Sequence, residues 1–330
     1  MKLVGQVVTE TRGQIAVLRM DNPPVNAISS GVRAGLVDGI KAAQADVKIK
    51  AIVIAGSSRS FAAGADIREF SGDRSKTVSM AEIRQLIQTS DLPMVAAING
   101  VALGGGLELA MFCDYRVAEA SAKVGLPELK LGIIPGAGGT QHLPRLIGAE
   151  KALDLILSSK PIGAVKASEE GIIDYIAKDN LISESCALAQ DIIEGKRPRM
   201  DVRAKEDLIA ADRSNPQVFD SARKFAERKL SGQFAPKKAI QAVAAAVAGD
   251  YEAGMVIERA CTDECLAGPQ RAAMVHLFFA ERDASKIPGI SKDTPTLDIK
   301  TIAVIGLGMM GSGIAVNCLA RGYIVFALGH

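Results

Sequence analysis

The sequence predicts an α/β fold backed by a helical layer and followed by a short strand–helix–strand tail. Short β-branched runs (GQIAVLRM, KAIVIAG, PMVAAI, DYRVAE, IIDYIA) alternate with helical patterns such as SSGVRAGLVDGIKAAQ and SMAEIRQLIQTS, which is the rhythm of strands crossing over through helices. After about residue 190 the strands fade. Ser221 to Leu230, Pro236 to Val247, Tyr251 to Leu266 and Pro269 to Ala284 read as helices rich in Ala, Glu, Lys and Arg. The stretch ASKIPGISKDTPTLDIK, with Pro288, Gly289 and Pro295, marks a break before KTIAVIGLGMMGSGIAVNCLARGYIVFAL. The expected divisions are a core over residues 1–190, a helical extension over 191–284, a linker over 285–299 and a separate unit over 300–330.

With 330 residues, 48% of them hydrophobic, the chain can bury a full-sized core and is longer than one typical domain. Lys and Arg total 39 against 37 Asp and Glu, and there is no Trp. Neither a strong phosphate footprint nor an aromatic stacking platform is present, so nucleic acid is not expected as the main partner. Cys113, Cys186, Cys261, Cys265 and Cys318 are odd in number and scattered, which argues for a reducing compartment rather than a disulfide framework. Cys261 and Cys265 would share a helical face, but the histidines are only His142, His276 and His330, so buried thiols are expected there and no metal. Met1 and Lys2 lead straight into LVGQVV, and the longest apolar-rich stretch, Val101 to Cys113, is short and contains Glu108. A cytoplasmic protein without a membrane span is expected.

Along the chain, DNPPVNAISS reads as a strand-then-turn entry. SFAAGADIREF, Ser60 to Phe70, follows an apolar strand and is dense in small residues around Gly64, which lets a ligand approach the backbone. In NGVALGGGLELAMFCDYR, Gly104, Gly105 and Gly106 open a helix whose unpaired N–H groups and positive dipole end favour an anion or a developing oxyanion. Glu108 lies one turn in, and GLPELKLGIIPGAGGTQHLPRL adds Glu128 and a second glycine-rich turn. Read singly, each piece has an ordinary explanation as a turn, a helix-dipole residue or a solvated glutamate. The basic run EGKRPRMDVRAK, with Lys196, Arg197, Arg199, Arg203 and Lys205, reads first as a solvated loop and second as a phosphate or RNA contact.

Taken together, in order and spacing, these segments resemble the enoyl-CoA hydratase/isomerase (crotonase) superfamily over roughly the first 190 residues. The resemblance implies a spiral ββα core. It implies that the N–H groups of Ala63 and Gly105 form an oxyanion hole for a thioester carbonyl, that Glu108 deprotonates the attacking water, and that Glu128 contacts that water and supplies a proton to C2. Substrate contacts are expected from Ala63, Gly64, Ala65, Asp66, Gly105, Pro127 and Gly136. Family members with both glutamates are the hydratases, so hydration of a 2-enoyl-CoA in fatty-acid β-oxidation is the implied reaction, with a Δ3-Δ2 isomerase side activity over the same oxyanion hole. CoA enters as part of the substrate, and neither a metal nor a redox cofactor is required.

In the last segment Gly306, Gly308 and Gly311 stand between a strand and a helix, the context of a dinucleotide fingerprint. The chain thereby resembles the N-terminal part of the multifunctional enzymes, of peroxisomal type and bacterial, that join such a hydratase to a 3-hydroxyacyl-CoA dehydrogenase. With Gly329 about where a ribose-binding acid would stand and His330 one strand beyond the loop, only a truncated Rossmann start is expected, without NAD binding or dehydrogenase activity. The ending ALGH is not a peroxisomal address of the Ser-Lys-Leu type. Two alternatives stay open: an isomerase without useful hydration, and a non-catalytic acyl-CoA or RNA-binding module. Because the 200–284 helices would cover surface that stand-alone relatives bury as trimers, a monomer is expected and a trimer is the alternative.

Overall fold

The computed structural model describes residues 2–4, 6–57, 59–71, 77–284, 286–291 and 294–329; Met1, His330 and positions 285, 292 and 293 of the expected linker lie outside the described residues. The chain divides into two units, Met1–Phe279 and Ala280–His330.

The first unit begins with β1 (Lys2–Val4), β2 (Val7–Arg12) and β3 (Ile15–Met20), joined antiparallel. Helix α1 (Ser30–Ala45) starts where the Ser29 side chain accepts the amide of Val32, and it buries Val32, Leu36, Ile40 and Ala43. Their three- to four-residue spacing gives one apolar stripe. Strand β4 (Ala51–Gly56) is buried along its whole length, as its unbroken apolar run requires of a strand covered on both faces. There follow α2 (Met80–Gln88), started by a Ser79–Glu82 capping box, then β5 (Met94–Ile98), β6 (Val101–Leu103), α3 (Gly105–Phe112), β7 (Tyr115–Glu119) and β8 (Lys123–Gly125). Helices α4 (Gly139–Ile147) and α5 (Ala149–Ser158), β9 (Ile162–Gly163), α6 (Ala164–Glu170), β10 (Tyr175–Ala177) and α7 (Leu181–Ile193) complete the mixed part.

Among the described residues, seven strands form one sheet in the order β1-β2-β3-β4-β5-β7-β10, parallel from β3 onwards. A second sheet holds β6-β8-β9, and a bridge from Ala62 to Ala102 ties the 60–70 segment to it. The chain therefore passes from the large sheet to the small one and back through a helix, as in β5-β6-α3, which is the spiral ββα core expected from the sequence. Alternation along β4 sends Ile52 and Ile54 into the main core and Ala51, Val53 and Ala55 into a second core closed by Leu181, Leu188 and Ile192 of α7.

The helical layer comprises α8 (Asp207–Asp212), α9 (Gln217–Lys229), α10 (Ala235–Ala248), α11 (Tyr251–Ala267) and α12 (Pro269–Ala284), with α10 packed on α4, α5, α9 and α11. The basic run before it is the largely exposed loop the sequence suggested, and its arginines also find acceptors within the chain. Arg199 pairs with the buried Asp114 at 2.9 Å and donates to the Ser90 carbonyl at 2.8 Å; Arg203 holds Asp201, Arg197 meets Asp191 and Tyr175, and Lys196 meets Glu194. These cations find local acceptors, so the run works as a strap across the ends of β5 and β7. Among the described residues no helix is long and apolar enough to cross a membrane.

In the second unit β11 (Thr301–Ile305) pairs parallel with β12 (Ile324–Leu328) across α13 (Met309–Ala320). A Cβ on Gly311 would fall 1.7 Å from the Gly306 carbonyl oxygen, so the loop and the helix start pack backbone to backbone.

Candidate active site

A cavity of about 210 Å³ opens where the start of α3 meets the 60–70 segment. Of the residues singled out from the sequence, Ala63, Gly64, Ala65, Gly105, Glu108, Pro127, Glu128 and Gly136 all line it. Asp66 does not; its carboxylate turns to Arg68, 2.7 Å away. Leu131, Ile133, Ile134 and Leu266 make the far wall apolar.

The site is set by backbone shape. Gly104 has φ 52° and ψ −127°, and a Cβ there would fall 2.7 Å from Oε1 of Glu128. Only glycine fits that conformation and that approach. The next residue, Gly105, begins α3, and the first amides of a helix have no partner within it. A Cβ on Gly105 would lie 3.7 Å from the Ala65 nitrogen and 3.9 Å from Oε2 of Glu108, so the Ala65 and Gly105 backbones and Glu108 converge.

Here the structure corrects the expectation for Ala63. Its N–H donates to the Val25 carbonyl at 3.3 Å and is therefore engaged. Gly64, at φ 101°, turns the chain between the two alanines, and it is the Ala65 nitrogen that comes close to Gly105.

Both glutamates are buried. Oε1 of Glu108 accepts from the amides of Ala137 and Gly139, each at 2.8 Å. Oε2 of Glu128 meets no hydrogen-bond partner among the described residues. Burial raises the pKa of both carboxyls. For Glu108 the two amides and the charge of Arg84 oppose the rise, whereas for Glu128 the charge of Glu108 adds to it, holding Glu128 well above the ordinary carboxylate range. Of the two, Glu128 is driven further towards its protonated form.

Sequence reasoning missed a third glutamate. Glu258 of α11 is fully buried and accepts from the amides of Gly138 at 2.7 Å and Thr140 at 3.1 Å, and from the Thr140 hydroxyl at 2.5 Å. Burial first, and the charge of Glu108 second, push it up to about 8. A signal was present: Glu258 falls in the stripe Tyr251, Met255, Cys261, Cys265 that α11 buries, and a charge in an apolar stripe is seldom there without a partner.

His142 is not an acid of this site. Its Nδ1–H donates to the Gly138 carbonyl at 2.8 Å, leaving Nε2 to accept from Gln88 and Tyr251, and burial pushes its pKa down to about 3. Cys261 and Cys265 are buried thiols, and among the described residues no cluster of His, Cys, Asp and Glu could hold a metal ion.

Two buried carboxyls line one cavity beside the Ala65 and Gly105 backbones, an arrangement suited to acid/base chemistry on a substrate that develops negative charge on oxygen. The enoyl-CoA hydratase/isomerase family matches residues 10–248, and the chain belongs to that family. It is 39% identical to the peroxisomal bifunctional enzyme of Cavia porcellus over 95% of this chain and 44% of that protein. It is 36% identical to a peroxisomal fatty acid beta-oxidation multifunctional protein of Arabidopsis thaliana over 96% of this chain and 45% of that protein. The chain thus spans less than half the length of these relatives. Among solved structures, it resembles enoyl-CoA hydratase subunit I of Geobacillus kaustophilus (TM-score 0.54, 29% identity, 84% of this chain and 95% of that chain). An enoyl-CoA hydratase/isomerase from Pseudoalteromonas atlantica shares the fold (TM-score 0.62, 22% identity, 87% and 100%).

Proposed function

We propose that this chain hydrates trans-2-enoyl-CoA thioesters to 3-hydroxyacyl-CoA, the water-adding step of fatty-acid β-oxidation. The observation that supports this most is the pairing of Glu108 and Glu128 at one cavity beside the Ala65 and Gly105 amides. The thioester oxygen takes hydrogen bonds from the Gly105 and Ala65 N–H groups. Glu108, the ionised carboxyl, removes a proton from water as its oxygen bonds to C3; the electron pair of the double bond moves to the thioester oxygen. When the carbonyl reforms, Glu128 delivers its proton to C2. An oxyanion donor is worth about a hundred- to a thousand-fold in rate, and an aligned acid or base about a hundred- to ten-thousand-fold.

The same donors would serve a double-bond shift, with a proton taken from C2 of a 3-enoyl-CoA and returned at C4, so isomerisation belongs to this reading as a side activity. Hydration transfers no electrons, and CoA arrives with the substrate. The second unit offers a glycine loop at a helix start, where a pyrophosphate could sit, but Gly329 follows β12 where a ribose hydroxyl needs an acid. NAD binding and dehydrogenation are therefore not proposed. A monomer is proposed, since α10 and α11 cover α4 within one chain, and sedimentation would check it. A cytoplasmic location rests on the cysteine usage, although the eukaryotic relatives named above are peroxisomal.

The test is the loss of enoyl-CoA absorbance on adding the purified chain to crotonoyl-CoA and to a longer 2-enoyl-CoA, beside 3-enoyl-CoA. Hydration of the 2-enoyl substrates supports the reading. A folded protein that hydrates none of them overturns it.

A further inference from the structure

The amides of residues 137 to 140 alternate between two carboxyl groups. Ala137 and Gly139 donate to Oε1 of Glu108 from α3, both at 2.8 Å. Gly138 donates to Oε1 of Glu258 at 2.7 Å, and Thr140 to its Oε2 at 3.1 Å, from α11 on the other side. We propose that Glu258 is a positioning residue for Glu108, acting through these four consecutive amides at the start of α4.

The segment has little rigidity of its own. It reads Gly-Ala-Gly-Gly over residues 136 to 139, with Gly138 at φ 117°, and glycines hold one conformation only when external contacts impose it. Glu258 supplies such contacts, and they are anchored in turn. The Thr140 hydroxyl donates to Oε2 of Glu258 and accepts from Gln141 Nε2, which also donates to the Ala242 carbonyl of α10. Remove the Glu258 carboxyl and two buried N–H groups lose their acceptors, a loss the loop can relieve only by moving. Of the amides that move, Gly138 lies between the two that aim Oε1 of Glu108 and Thr140 directly follows them, so the base loses its alignment with the attacking water. Oε2 of Glu108, the oxygen nearer Gly105, is the one left to face the cavity.

The charged and titratable groups around Glu258 are Glu108 of α3, Glu128 beyond it, and Tyr251 and Cys261 of its own helix; Arg84 of α2 faces Glu108 and Tyr251. With its pKa pushed up to about 8, Glu258 carries little charge at acidic pH. Its removal there acts on Glu108 through the amides and not through a lost charge.

The inference rests on the hydration reading, and the experiment separates the two. The full chain and its Glu258→Gln and Glu258→Ala variants are assayed on crotonoyl-CoA for kcat, KM and the pH dependence of kcat. Gln keeps one acceptor, for Gly138, and Ala keeps none. The expected order in kcat is parent, then Gln, then Ala, with losses on the order of tenfold to a hundredfold for misaligned groups, KM little changed, and the acid limb moved to higher pH because Glu108 loses donors that favour its ionised form. A purely structural role would lower the yield or melting temperature and leave kcat per folded molecule and the acid limb alone; that result, or a limb moved to lower pH, overturns the inference. If the Ala variant does not fold, the Gln variant decides. If the parent hydrates nothing, the hydration reading fails by itself, and carbon NMR titration of the Glu108 carboxyl in parent and Glu258→Gln decides the rest: an upward shift in the variant supports the positioning role, and no shift or a downward one overturns it.

Discussion

The charge on Glu108 helps to keep the proton on Glu128. The two carboxyls share one cavity; two amide donors oppose the rise that burial causes at Glu108, while Glu128, with an unpartnered oxygen, is pushed well above its ordinary range. Replacing either by Ala is expected to lower hydration by about a hundred-fold or more. Binding of a saturated acyl-CoA, followed by calorimetry, should persist in both variants, since neither carboxyl is asked to hold the thioester. Loss of binding without loss of turnover number would contradict these roles.

The oxyanion pair can be tested atom by atom. Replacing the amide at position 65 by an ester removes one N–H and nothing else, and is expected to cost about a hundred- to a thousand-fold in kcat. The same exchange at position 63 removes a donor already bound to the Val25 carbonyl and should cost stability more than rate. Equal kinetic losses at both positions would restore the Ala63 N–H to the oxyanion hole.

The raised carboxyl of Glu128 carries a stability signature. Its folded pKa lies above its unfolded value near 4.5, so the folded state binds the proton more tightly. The stabilising contribution is complete below about pH 4.5 and is lost as pH rises through the folded value. Glu128→Gln, uncharged at every pH, should therefore melt higher than the parent at neutral pH, with the gap closing towards pH 4. Melting curves at several pH values check this; a gap that widens on acidification would reverse the sign.

Gly104→Ala places a Cβ 2.7 Å from Oε1 of Glu128 at φ 52° and ψ −127°. The backbone strain alone is about 1–3 kcal/mol, and the displaced carboxyl should reduce kcat as well. Denaturant titration and the crotonoyl-CoA assay would show both effects together; a stable, fully active variant would contradict the geometry.

Arg199→Ala removes the partner of the buried Asp114. Because the arginine is itself 42% exposed, the loss is discounted for solvent to about 1–2 kcal/mol, measurable by denaturant titration. Since the strap's arginines are engaged within the chain, filter binding at moderate salt should detect no specific RNA affinity. Salt-resistant binding would revive the non-catalytic alternative.

Much of the architecture was legible from local pattern. Helices expected at Pro236 to Val247 and Tyr251 to Leu266 appear as Ala235–Ala248 and Tyr251–Ala267, and β4 announced itself by an unbroken apolar run. The strands β6, β8 and β9, two or three residues long, are too short to show a period.

The sequence by itself determined the α/β alternation, the glycine-opened helix start and the two glutamates near it, because periodicity, backbone freedom and helix-end polarity are set by neighbours along the chain. Tertiary structure alone decided that Ala65 rather than Ala63 faces Gly105, that Arg199 reaches Asp114, and that Glu258 shares the amides of residues 137–140 with Glu108. Which donor a buried carboxylate meets depends on how distant elements pack, and an amide's direction turns on a single positive φ. Neither leaves a period in the sequence.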